Sequence, residues 1–139
     1  MLTMSACSPP EKEIKVGRYG MMSDKTPQYV ALAFVISVYT DKTLDSAVQL
    51  SSKKFTRLLR AYHTNSGVQR HIFSLRLNEI TAELAPGGSQ SHTQLKNKAT
   101  VDVIIAGKFN NDKVVDLKTI SLVKQSDVWK IAGVSNTIP

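Results

Sequence analysis

Acidic side chains are missing from one long block of this 139-residue chain: positions 46 to 78 hold Lys53, Lys54, Arg57, Arg60, Arg70 and Arg76 and no Asp or Glu. Most of the net charge of +7 arises there. Clustered Lys and Arg create a field that draws polyanions, and beside a membrane they favour anionic lipid. The block reads also as the solvated side of an amphipathic helix, the blander of the two readings, and both stand. Nucleic acid is disfavoured, because no zinc-finger spacing, RNP-like run or aromatic stacking platform accompanies the charge. Cysteine is nearly absent too. Cys7 is alone, so no internal disulfide can form. No apolar run approaches the roughly 18 residues of a membrane-spanning helix, which predicts a soluble folded part. A phosphate-cradling glycine loop is lacking, since Gly87-Gly88 follows Pro86 without a subsequent Lys-Ser or Lys-Thr. His63 and His71 flank one turn with no third ligand at metal-binding spacing, and His92 stands apart. Neither a metal nor any other cofactor is therefore expected.

What is present begins at the N-terminus, where Leu2-Thr3-Met4-Ser5-Ala6-Cys7 resembles the lipobox of bacterial lipoproteins. In that motif small residues precede a cysteine that is lipidated and becomes the first residue of the mature protein. A secretory signal needs a charged start and an apolar core of about 7–15 residues. Only six residues precede Cys7 and none is charged, so the lipoprotein reading places Met1 inside a longer signal peptide. The other reading leaves Cys7 a free thiol. Ser8-Pro9-Pro10-Glu11-Lys12-Glu13 has the polar, proline-bearing composition of a tether. Residues 1–25 are accordingly predicted to be lipobox remnant and flexible tether, and residues 26–139 a single domain. More than one acyl chain on Cys7 would make a stable anchor, and serine after the cysteine suits outer-membrane sorting by the same resemblance.

Thr26-Pro27 opens the folded part, with Thr26 suited to cap a helix and Pro27 to its first position. From Tyr29 to Tyr39 nearly every residue is apolar, so this segment must be buried on nearly every side. Its β-branched residues suit a strand as well, and the Thr-Pro start and the length favour helix. Thr40-Asp41-Lys42-Thr43 is a turn. Leu44, Ala47 and Val48 predict a short second helix. Ser51-Ser52 offers a further cap, and Phe55, Leu58, Leu59 and Tyr62 define the inner face of a third, with Lys53, Lys54, Arg57 and Arg60 mostly off it. The run from His63 to Gly67 reads as the turn that ends it. Thereafter the pattern alternates. Phe73, Leu75 and Leu77 share one parity and Ile80, Ala82 and Leu84 the other, which predicts a β-bulge near Asn78-Glu79. Strands around Val101–Ile105, Val114–Val123 and Val128–Val134 follow, joined at Asn110-Asn111-Asp112 and Gln125-Ser126-Asp127. The expected fold class is α+β: three N-terminal helices packed on a curved antiparallel sheet of about four strands.

Thr26-Pro27, Ala33-Phe34, Tyr39-Thr40-Asp41, Leu44-Asp45-Ser46-Ala47 and Leu50-Ser51, followed by Leu122-Val123-Lys124 and Asp127-Val128-Trp129-Lys130-Ile131, together resemble the cystatin/NTF2-like superfamily. The chain is most similar to the small bacterial NTF2-like lipoproteins of unknown function. That resemblance implies a sheet curled as a cone around the long helix, a pocket at its open end, and a homodimer formed through the exposed sheet face. It covers positions 26 to 134, and its motifs specify fold rather than chemistry.

The groups available to a pocket are Tyr39, Tyr62, His63 and His71, with Asp41, Asp45 and Arg70 nearby. General acid–base work needs such a group within hydrogen-bond reach of substrate and tuned by its surroundings. Asp41 and Asp45 sit in a turn and at a helix edge, where carboxylates commonly cap or face water, and nothing positions a catalytic triad. No catalytic residue is therefore assigned. Lys53, Lys54, Arg57 and Arg60 form the candidate surface for an anionic partner. The expected function is that of a non-enzymatic domain, lipid-anchored through Cys7 at the cell envelope and facing the periplasm, which binds a small ligand or a protein partner. Two alternatives remain open: a small isomerase or hydrolase using the cone pocket, and a cytoplasmic adaptor for which Met1 is the true start.

Overall fold

Thr26 begins the first helix as its hydroxyl accepts a hydrogen bond from the Tyr29 N–H at 3.2 Å, with Pro27 in the first turn. The computed structural model describes residues 26–86 and 92–136. Cys7 and the whole expected tether lie outside the described residues. The first helix, α1 (Pro27–Thr40), buries Val30 through Val35 and Val38 almost completely. The choice of helix over strand follows from that capped start, which satisfies an amide that a helix otherwise leaves bare.

Three shorter helices follow: α2 (Asp45–Gln49), α3 (Lys53–Ala61) and α4 (Asn65–His71). Ser52 caps α3 by accepting from the Phe55 N–H at 3.1 Å. Four helices therefore stand where the sequence predicted three. The expected turn from His63 to Gly67 shrinks to His63 itself, held at φ 65°, after which Thr64 caps α4 by accepting from the Gly67 N–H at 3.0 Å. Gly67 permits the tight step: a Cβ there would lie 2.5 Å from the Tyr62 carbonyl oxygen. Asn65 then ties α4 to the far end of α1, its amide donating to the carbonyls of Asp41 at 2.6 Å and Thr43 at 3.0 Å. That tertiary link, which no local pattern announces, stabilises a helix too short to stand alone.

The sheet is antiparallel, in the order β1 (Asn78–Leu84), β3 (Lys98–Phe109), β4 (Asp112–Gln125), β5 (Val128–Asn136). A three-residue strand, β2 (His92–Gln94), pairs with β3 beyond the end of β1, on the same edge. Two-residue turns join the long strands. Asn110 and Asn111, and then Ser126 and Asp127, all adopt positive φ, the conformation whose twist suits a hairpin. The phase change expected near Asn78-Glu79 is present as a register shift between Asn78 and Thr81, with Glu79 at φ 52°. Gly107 faces it, where a Cβ would stand 2.7 Å from the Asn78 carbonyl oxygen. Residues 73–77, however, are not strand, although Phe73 and Leu77 are buried. A second shift, between Ser121 and Leu122, makes Ala132 an extra residue in β5.

α1 packs across one face of the sheet, and the core lies between them: Phe34 and Val35 with Val101, Val103, Ile105, Ile120, Leu122 and Ile131. Phe34 stands 5.9 Å from both Phe55 and Phe73, so one ring joins α1 to α3 and to the segment before β1. The segment between α2 and α3 lies along the free edge of β5. The Ile131 N–H donates to the Leu50 carbonyl at 2.8 Å and the Ser52 N–H to the Ile131 carbonyl at 2.9 Å. This parallel bridge fixes the base of α3 against the sheet and turns its basic side outward.

Candidate functional site

The clamp made by Asn65 shapes a cleft. By holding the α1–α2 loop against the α3–α4 turn, it brings Lys42, Asp45, Arg60, His63 and Thr64 around an apolar floor of Leu44 and Val48. The cleft has a volume of 370 Å³. It holds two permanent cations and an imidazole against one carboxylate, a balance that suits an anionic group. Among the described residues, no carboxylate lies within ion-pair distance of Lys42 or Arg60. Asn65 does not itself line the cleft, and its buried Oδ1 has no hydrogen-bond partner among the described residues.

The residues singled out from sequence fall into separate places. Lys53, Lys54, Arg57 and Arg60 are all exposed along α3, and of these Arg60 lines the cleft. His63 lines it too. Tyr62 and His71 stack on each other at 4.8 Å between ring centroids and 14° between planes, a surface contact beside α4. Tyr39 is elsewhere. Its hydroxyl donates to the Leu75 carbonyl, its ring meets Phe73 edge-on at 5.5 Å, and burial, aided by the nearby Asp116 charge, pushes its pKa well above the usual tyrosine range. A phenol held protonated in this way orders the chain between α4 and β1. The four expected pocket residues thus divide among three places: Tyr62 and His71 stack together, His63 lines the cleft, and Tyr39 sits half-buried against the edge of the core. Trp129 packs in the core, with the Lys124 ammonium 5.5 Å from its ring centroid.

Sequence reading missed a polar cluster on the core side of β4. Lys118 is 2% exposed, and its ammonium lies 3.3 Å from Asp116 Oδ2 and donates to Asn136 Oδ1. Asp116 keeps 42% of its side chain exposed, so the pair links the interior to solvent. The signal was available. Residues of one parity in a strand share a face, and Ile120 and Leu122 in the core commit Lys118 and Asp116 to the same side. On the other face Thr119 donates to Asp102 at 2.7 Å. Among the described residues, no group of three His, Cys, Asp or Glu is arranged to hold a metal ion.

An antiparallel sheet with helices on one face defines an α+β layer fold of a common kind. No family model matches the chain, and no curated protein matches it in sequence. Its structure is similar to the solution structure of a SEC-C motif containing protein from Rhodopseudomonas palustris, with a TM-score of 0.60 at 10% sequence identity, covering 84% of this chain and 82% of that one. At that identity the likeness concerns the fold alone. This neighbour corrects the expectation of a cystatin/NTF2-like protein. The residues behind that expectation, Ala33-Phe34, Leu50-Ser51 and Trp129-Lys130-Ile131, serve a helix packing on a sheet and an edge-strand bridge. Any layer of this kind requires such residues, and they carry no lineage.

Proposed function

We propose that this chain is a non-enzymatic binding domain held at the bacterial cell envelope through a lipid on Cys7, facing the periplasm, and that it takes an anionic small ligand or an acidic segment of an envelope protein. What supports the reading is the cleft between the α1–α2 loop with α2 and the end of α3 with the turn that follows it. Arg60, His63 and Lys42 converge there, and the exposed basic side of α3 leads into it. Of the groups on which acid–base chemistry would depend, Asp45 and His63 share the cleft, while His71 stacks on Tyr62 and Tyr39 lies against Phe73. Asp41, Asp45, His63 and His71 face solvent, and Tyr39 is held protonated.

Two experiments test the two halves. Titration with inorganic pyrophosphate and with poly-glutamate, followed by NMR, is expected to shift Arg60, His63 and Lys42 first. Reversing charge together at Lys53, Arg57 and Arg60 should then weaken binding of both probes without unfolding the domain, and unchanged binding would remove α3 from the reading. For the address, expression with the upstream sequence in the native cell should add acyl mass at Cys7 and return the protein with membranes. An unmodified chain in the soluble fraction would favour the cytoplasmic adaptor.

A further inference from the structure

Two exposed leucines, Leu58 and Leu95, lie at the end of the sheet opposite the bulge in β1. Between α3 and the bulged strand β5 runs a trough of 580 Å³ lined by Lys54, Phe55, Leu58, Val123, Gln125 and Ala132. A second hollow of 290 Å³ adjoins it, bounded by Leu95, Lys98, Thr100 and Ser121 and sharing Val123 and Ala132 with the first. The shared residues make the two one continuous groove. Ala132 is the extra residue of the β5 bulge, and it lines both hollows. Leu58 is 44% exposed on one side of that junction and Leu95 64% on the other. Single exposed leucines are ordinary. Two that converge on one groove with Val123 make a patch of the kind that marks a ligand or partner.

The charge along the groove is of one sign. Among the described residues no Asp or Glu lines either hollow, and the charged side chains are Lys54 and Lys98. The hollow around Lys98 presents an almost wholly apolar surface, so Lys98 contributes its aliphatic stem there. The α3 end is the polar one, with Lys54 and Gln125. We propose that the groove binds a single-chain anionic amphiphile, such as a long-chain fatty acid, with its acyl chain over Leu58, Val123, Ala132 and Leu95 and its anionic head at Lys54 and Gln125. Charge complementarity selects this occupant, since an acid-free apolar groove with a cation at one end matches a chain with an anion at one end. The larger hollow falls within the roughly 300–1,000 Å³ of small-molecule sites. The site shares no lining residue with the cleft around Arg60 and His63, so it stands independently of that reading.

The test is displacement of a fluorescent fatty-acid probe from the full chain by oleate below its micellar concentration, beside oleate methyl ester and an alkyltrimethylammonium of equal length. Oleate should compete saturably at one site, and the uncharged and cationic chains more weakly. Lys54→Glu is expected to weaken oleate about tenfold at low salt, and Leu58→Asp at least about tenfold. Lys98→Met should stay within about twofold, as should Arg60→Glu, which reports on the other site. All four positions are exposed, and thermal melts confirm that each variant folds. Non-saturable binding, equal affinity for the three chains, or insensitivity to Leu58→Asp would overturn the proposal. So would tight sedimentation with phosphatidylglycerol vesicles without oleate competition, which would assign the groove to a bilayer. Self-association abolished by Leu58→Asp would likewise overturn it and assign the groove to a second copy of this chain.

Discussion

Helices α1 and α3 lie in one domain and answer to opposite demands. α1 carries no charged residue and touches the sheet, α2 and α4. α3 buries Phe55 and Leu59 and gives the rest of its surface, with four cations, to water. The first specifies the fold and the second is free to specify a partner. Substitutions in α1 should therefore unfold the protein, whereas those on the outer side of α3 should change what it binds.

The largest expected effect is in α1. Phe34→Ala removes the ring that joins α1, α3 and Phe73, and should lower stability by about 3–5 kcal/mol in denaturant melts, with a cavity left behind. A loss under about 1 kcal/mol would show that α1 is no more essential than α3, contrary to the complete burial of Phe34.

The half-buried ion pair sharpens the comparison, because its two members differ in exposure. Asp116→Asn strands the Lys118 ammonium in the core and should cost about 3 kcal/mol. Lys118→Met leaves a carboxylate already half in water, and the apolar replacement should stay within about 1.5 kcal/mol of the parent. Equal losses in the two variants would mean that the pair is hydrated as a unit.

Next comes Tyr39, where α1 meets the segment before β1. Tyr39→Phe removes the hydrogen bond to the Leu75 carbonyl and should cost about 1 kcal/mol near neutral pH. The raised pKa gives a second readout. The folded state keeps the phenolic proton that the unfolded chain loses near pH 10, so stability is unaffected below that pH and falls as pH rises above it. Melts of the parent above pH 10 should show this added loss, and Tyr39→Phe should abolish that part of it. The same alkaline slope in both proteins would mean that Tyr39 ionises as freely in the fold as outside it.

The smallest effect on stability belongs to α3. Charge reversal at Lys53, Arg57 and Arg60 should move stability by no more than about 0.5 kcal/mol per site, while pyrophosphate binding falls. A large destabilisation would break the contrast between the two helices.

Much of the fold was legible because its signals are local. Thr26-Pro27 caps α1, Ser52 caps α3, the two turns carry residues that tolerate positive φ, and the parity change near Asn78 marks a bulge. α4 was not legible, since the segment from Thr64 to Gly67 suits a turn as well as a helix start. Asn65 decides between them by bonding to carbonyls more than twenty residues away. The candidate site was legible in its charge and illegible in its shape. Arg60 and His63 were both noted, but Lys42 joins them only because that same clamp folds the α1–α2 loop back. Tyr39 and His71, grouped with His63 on chemistry, end up half-buried against the core and on a separate surface.

By itself the sequence determined an α+β chain with a buried first helix, a basic acid-free third helix and alternating strands, because hydrophobic period and capping are written in neighbouring residues. Only the tertiary structure decided that Lys118 is buried against Asp116, that a cleft opens beside Arg60, and that Leu58 and Leu95 border one groove. Each of these depends on residues far apart in the chain meeting across a sheet register or a helix crossing, and that meeting is set by packing the whole domain at once.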